Sequence, residues 1–342
     1  MSNNPDVTHD QQATWPGLAG LASLKVKFDA NDNTQSRAFF ANGRMQIKVQ
    51  VLVSGVDADG NATHLPANVM ESIELVHYAT SKTLRDGWVA SAVQGRFTIE
   101  ARPAPTAGEE SDDDTDSVHP QVRTFWVSSS SAGTTQIGAR LSLNGERILS
   151  NGTTLSSVHD SSVTIEAQPP KAYDVNLFRW YQTRRGNEEP GNRIWNYYLG
   201  LYPQGEQVKL VDWIVDGEDA GVDIVFARGN KLNENKTNYM LATLVRPERN
   251  KVDVSLPYRG DPIAFKFYAD AITRDSKLYS VRVNDRDGEL TVMQALSEYS
   301  EIAPMSRSGE IFHFRAVDQY GTEHKLAIRL NFHERNLYLE RG

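Results

Sequence analysis

Along much of this chain hydrophobic and polar residues alternate one by one. In residues 44–53, Met45, Ile47, Val49, Val51 and Val53 share one face, and Arg44, Gln46, Lys48, Gln50 and Leu52 the other. Strand side chains point alternately to opposite faces, so this patterning predicts a strand with one buried face. Asn42-Gly43 before it and Asp59-Gly60 after it supply turn dipeptides. The pattern returns at 73–78, 96–101, 122–127, 136–143 and 162–167. Short strands at this spacing, with turn signals between them, predict a sandwich or barrel. One six-residue echo runs through it: Thr98-Ile99-Glu100-Ala101-Arg102-Pro103 is matched by Thr164-Ile165-Glu166-Ala167-Gln168-Pro169. In both, proline ends ladder pairing.

From residue 171 aromatic residues become dense and the predicted strands lengthen: 175–181, 194–202, 208–215, 222–227 and 239–245, then 263–269, 278–283, 311–317, 325–330 and 337–339. At 290–299 the period changes. Val292, Leu296 and Tyr299 fall at helical spacing and Met293 extends the stripe, predicting a short helix. The organisation expected is a tail at 1–20, a β-sandwich at 21–103, an acidic linker at 104–120, and strands at 121–170 that complete or repeat that sandwich. An aromatic-rich β domain at 171–257 and a C-terminal β domain at 258–342 with the helix 290–299 follow. The fold class is mainly β: tandem antiparallel β-sandwiches with one short helix near the C-terminus.

Composition narrows the possible roles. The 342 residues suffice for two or three domains. With a formal net charge of -8 and no basic stripe, nucleic acid is not an expected partner. The lack of cysteine removes disulfides, thiolate metal ligands and thiol nucleophiles. Residues 1–20 are polar and then Gly/Ala-rich, without a basic segment leading into an apolar run, so no signal peptide is expected. No run reaches the roughly 18 apolar residues of a membrane span. Cytoplasmic synthesis, followed by particle assembly or release without a signal, is the expected route.

Candidate chemistry is sparse. Asp57-Ala58-Asp59-Gly60-Asn61 opens like a calcium loop, but the sixth and twelfth positions hold Ala62 and Asn68 instead of Gly and Glu. A hairpin turn is the reading adopted, and the same holds for Asn284-Asp285-Arg286-Asp287-Gly288. The acidic block 109–116 reads as a solvated loop, with a cation or a basic partner as the alternative. The eight histidines are scattered; His313 lies in a predicted strand and His324 and His333 flank another, so two could converge in space. There is no Gly-x-Ser-x-Gly elbow and no phosphate loop. No catalytic residue, metal ligand or cofactor is assigned, and the chain is expected not to be an enzyme. Asn61, Asn151 and Asn235 begin glycosylation patterns, read as coincidental without a signal peptide.

The strongest local anomaly is aromatic. Phe178, Trp180, Tyr181, Trp195, Tyr197, Tyr198, Tyr202 and Trp213 crowd residues 178–213, with Arg179, Arg184, Arg185 and Arg193 interleaved. Adjacent pairs such as Trp180/Tyr181 and Tyr197/Tyr198 must point to opposite faces of a strand. Packing against a neighbouring layer is one outcome. The other is a binding platform for a protein or a glycan, built from Trp180, Tyr181, Trp195, Tyr197, Tyr198, Tyr202 and Trp213.

The alternation from Asn42-Gly43-Arg44 to Val53, the Asp59-Gly60 turn, and the later Phe125-Trp126-Val127 and Ala139-Arg140-Leu141-Ser142-Leu143-Asn144-Gly145 runs resemble bacterial and phage immunoglobulin-like repeats. The resemblance spans residues 40–170 and is one of texture. It implies a non-enzymatic structural or binding subunit of a tail-like assembly, with other protein subunits, self included, as partners. The alternative is a signal-less toxin or lectin-like protein that meets glycans or membranes through 178–213.

Overall fold

The computed structural model describes residues 17–31, 33–99, 120–152, 160–185, 191–219, 221–234, 237–258, 272–273, 276–301 and 311–342. The acidic block 109–116, the predicted strand 263–269, Trp15, Asn235, His9, His119 and His159 lie outside them. The chain forms two compact units, Met1–Pro170 and Lys171–Gly342. Both are built from mostly antiparallel sheets.

In the first unit, Gly20–Lys27, Met45–Val56, Gln121–Ser129 and Trp88–Ser91 lie side by side in one sheet. Glu146–Leu149, Gly133–Leu143, Val163–Gln168 and Ser36–Phe40 form the spine of a second. Met45, Ile47, Val49, Val51 and Val53 are all buried, as their alternation predicts, while the residues between them are half-buried. Burying each such side chain contributes about 1.5–3 kcal/mol. Gln121–Ser129 pairs along Met45–Val56, so the strands of 121–170 complete the first sandwich rather than repeat it. Of the first echoed segment, residues 100–103 lie outside the described residues. Phe97–Ile99 and Val163–Gln168 make the unit's two parallel pairings among the described residues, one in each sheet. Asp57 closes the turn its sequence suggests: Oδ1 accepts from the N–H groups of Asp59 and Asn61, which holds the carboxyl below its ordinary range.

The second unit has three layers. Its middle sheet runs Phe178–Arg184, Asn192–Leu201, Leu290–Ser297, Thr237–Leu244, Ile224–Glu234. One face packs on a four-stranded sheet of Leu210–Ile214, Ile311–Asp318, Glu323–Asn331 and Asn336–Arg341, through Tyr197, Leu199, Val292, Met240, Phe314 and Ile328. The other face is covered by the hairpin of Lys251–Pro257 and Ser276–Arg282, through Ile194, Met293, Ala295, Val254 and Val281.

This layering corrects two expectations. The helix at 290–299 is the strand Leu290–Ser297, hydrogen-bonded to Asn192–Leu201 on one side and Thr237–Leu244 on the other. All eight of its residues are buried. A strand covered on both faces has no reason to alternate, and its apolar residues, interrupted by the buried polar Thr291, Gln294 and Ser297, fall at a spacing that mimics a helical stripe. The division at 257 fails for the same reason. Leu290–Ser297 is the central strand of a sheet whose other members come from 178–244, so residues 258–342 form no separate domain.

Candidate functional site

Strand register sorts the seven aromatic candidates by face. Residues directly opposite across a ladder share a face, and Trp180 sits opposite Leu199 while Tyr181 sits opposite Tyr198. Trp180, Trp195 and Tyr197 therefore point toward the four-stranded sheet. The Trp180 and Tyr197 rings stack at 5.1 Å, and Trp180 Nε1 donates to the Leu337 carbonyl at 2.8 Å. Tyr197 donates to Asn336 Oδ1 at 2.8 Å, and burial pushes its phenol up to about 12. Trp195 packs half-buried against the same core. Trp213, from Leu210–Ile214, is 1 % exposed, donates Nε1 to the Val245 carbonyl, and has the Arg246 guanidinium 3.5 Å over its ring.

Tyr181, Tyr198 and Tyr202 lie on the opposite face, near the C-terminal end of Asn192–Leu201. Tyr198 is buried and stacks on Tyr181 at 5.5 Å. Its hydroxyl donates to Asp285 Oδ1 at 2.8 Å and accepts from Arg185, which also holds Asp285 at 2.9 Å. Tyr181 donates to Glu289 Oε2, and Tyr202 to Glu289 Oε1 at 2.7 Å. Gly200 makes that closure possible. A Cβ there would stand 2.6 Å from the Tyr202 ring and 3.1 Å from Glu289 Cγ. Arg179 lies 4.0 Å over Tyr202, and Arg286 lies 4.8 Å over Tyr181 and 4.6 Å over Tyr198.

The platform of seven thus resolves into a core and a rim. Tyr197, Tyr198 and Trp213 are buried and offer no surface to a partner, a correction set by the layers over both faces of the middle sheet. Trp180 and Trp195 brace the sandwich. Tyr181 and Tyr202 remain half-exposed, with exposed Arg179 and Arg286 stacked on them. Burial, and then the bond to Glu289, raises both phenols above their ordinary value, so they act as donors at neutral pH. Phe178–Arg184 is also the outermost described strand of its sheet. The whole is a fixed, solvent-facing Arg–Tyr surface beside a sheet edge.

Sequence reasoning found the rings and Arg179 and Arg185 but missed Glu289, Asp285 and Arg286. The latter two sit in a segment read only as a turn, and nothing local marks Glu289. His324 is buried with Nε2 3.1 Å from Asp318 Oδ2, whose other oxygen caps the turn at Tyr320 and Thr322. His313 and His333 are exposed. Among the described residues no three His, Asp or Glu side chains gather as a metal cluster, and no helix is long and apolar enough to cross a membrane.

No family model matches the chain, and no curated protein matches it. A solved structure named BspA_C_WT aligns over 89 % of this chain and 97 % of its own, at 10 % identity and a TM-score of 0.19. A likeness at that level informs neither fold nor role.

Proposed function

We propose that the chain is a non-enzymatic structural or binding subunit of a bacterial or phage tail-like assembly, and that its β-sandwich units meet other protein subunits. The observation that carries this reading is the rim: Tyr181 and Tyr202 fixed on Glu289, with Arg179 and Arg286 stacked outward. Tyrosine and arginine are the residues on which interface energy concentrates. Rings already locked by hydrogen bonds lose little rotamer entropy when a partner arrives. The tail-like setting rests on the immunoglobulin-like texture of residues 40–170.

A glycan platform fits the rim less well. A sugar stacks on an open ring face, and guanidiniums already lie over Tyr181 and Tyr202. The test is fractionation of a lysate of the natural source, with the double variant Tyr181→Ser/Arg286→Glu alongside. Wild-type chain is expected in the particle fraction and the folded variant in the soluble one. Wild-type chain recovered wholly as a monomer, with no particle association, would overturn the proposal.

A further inference from the structure

Among the described residues, two arginines of the rim are left without an acidic partner. Arg185 pairs with Asp285 at 2.9 Å and Lys209 with Asp287 at 2.6 Å, and the two oxygens of Glu289 accept from the Tyr181 and Tyr202 phenols. Arg179 and Arg286 are exposed and lie over tyrosine rings, and no ion pair to a described carboxylate holds either of them. They stand out in a chain with 44 acidic and 36 basic residues.

Stacking fixes how these arginines can be used. A guanidinium lying over a ring gives its face to the π cloud and keeps the N–H donors around its edge. Those donors match a carboxylate two at a time. The rings beneath are held in place by their bonds to Glu289, so the donors stand on a rigid base. Both rings reach the same carboxylate, which brings the two guanidiniums close together. One acidic stretch can therefore meet both.

This chain contains such a stretch. Glu109, Glu110, Asp112, Asp113, Asp114 and Asp116 put six carboxylates into residues 109–116, which lie outside the described ones. Fully extended, a block of that length spans at most about 26–29 Å, enough to cross both arginines. Its like charges repel one another, and a cationic surface relieves that repulsion.

We infer that the rim of one copy of this chain receives the acidic block 109–116 of a second copy, with Arg179 and Arg286 each held by carboxylates of that block. The inference rests on the reading of the rim as a protein interface and names its partner. The two contacting surfaces are unlike, so the contact is head-to-tail and each copy added keeps one of them to offer.

Sedimentation velocity of the full chain over a range of concentrations provides the test. One variant is Arg179→Gln/Arg286→Gln; in another, the six acidic residues of 109–116 become Asn and Gln. Circular dichroism checks that both are folded. The wild type should self-associate, less so in high salt, and each variant alone about tenfold more weakly. Mixed, the two variants should form a one-to-one dimer and nothing larger, since one brings the intact block and the other the intact rim. Lys325→Gln/Arg341→Gln removes the same charge from the four-stranded sheet and should associate like the wild type. A wild type that stays monomeric, association undiminished in Arg179→Gln/Arg286→Gln, or a mixture that does not dimerise would overturn the inference. Particle fractionation would then still decide the proposed function, because a subunit other than a second copy can fill the rim.

Discussion

Gly200 offers a direct test of how the rim is built. Its φ is not in the left-handed region, so the only demand for glycine there is space. In Gly200→Ala the new methyl would lie 2.6 Å from Tyr202 Cε2 and 3.1 Å from Glu289 Cγ and Oε1. The ring cannot swing aside freely, because its hydroxyl is bonded to Glu289 and its face carries Arg179. Overpacking of this kind costs about 1–3 kcal/mol. Replacing glycine by alanine in a strand returns about 0.5–1 kcal/mol. The net expected loss is about 0–2.5 kcal/mol, a Tm decrease of up to a few degrees for a unit of this size. A double-mutant cycle with Tyr202→Ala isolates the cause. With the ring gone the closest atom is gone, and Glu289 is freed of one of its two phenols. Gly200→Ala should then cost nothing or stabilise slightly, giving a coupling of about 1–2 kcal/mol. Urea unfolding followed by circular dichroism measures all four corners. Equal costs in both backgrounds would refute the close-approach argument.

Two further expectations follow from the middle sheet. Native-state hydrogen exchange should find the amides of Leu290–Ser297 among the slowest in the chain, because that strand is bonded on both sides and covered on both faces; exchange as fast as in exposed strands such as Ser276–Arg282 would contradict the layering. Tyr197 has a folded pKa of about 12, above the ordinary phenol value of 10.0, so its neutral form is favoured in the native state. Its contribution is fully present below pH ~10 and is lost as pH rises through its folded value, by about 2–3 kcal/mol in all. Alkaline unfolding of the wild type should therefore be steeper over that window than that of Tyr197→Phe, and identical slopes would count against it.

The one-sided strands were legible from the chain alone. Met45 to Val53 alternates because one face meets the core and the other meets water, and that difference is written residue by residue. The turn at Asp57 was legible too, since Asp and Gly supply the acceptor and the backbone freedom that it uses. Leu290–Ser297 was not. Covered on both faces, it carries no record of which way each side chain points, and only the positions of Asn192–Leu201 and Thr237–Leu244 decide that it is a strand.

The aromatic region shows the same division. Its composition announced that rings and guanidiniums would meet, and adjacency showed that they must part to opposite faces. Which face becomes core and which becomes rim depended on layers contributed by residues far along the chain, such as Asn336–Arg341 and Ser276–Arg282. Glu289, Asp285 and Arg286 reach Tyr181, Tyr198 and Tyr202 from 87 or more residues away. The sequence by itself determined an acidic, cysteine-free chain of alternating strands, because alternation is a local response to one wet face and one dry one. The tertiary structure alone decided the order of the strands, the burial of three of the seven rings and the meeting of Arg286 with Tyr181, because these are contacts between segments that carry no local mark of each other.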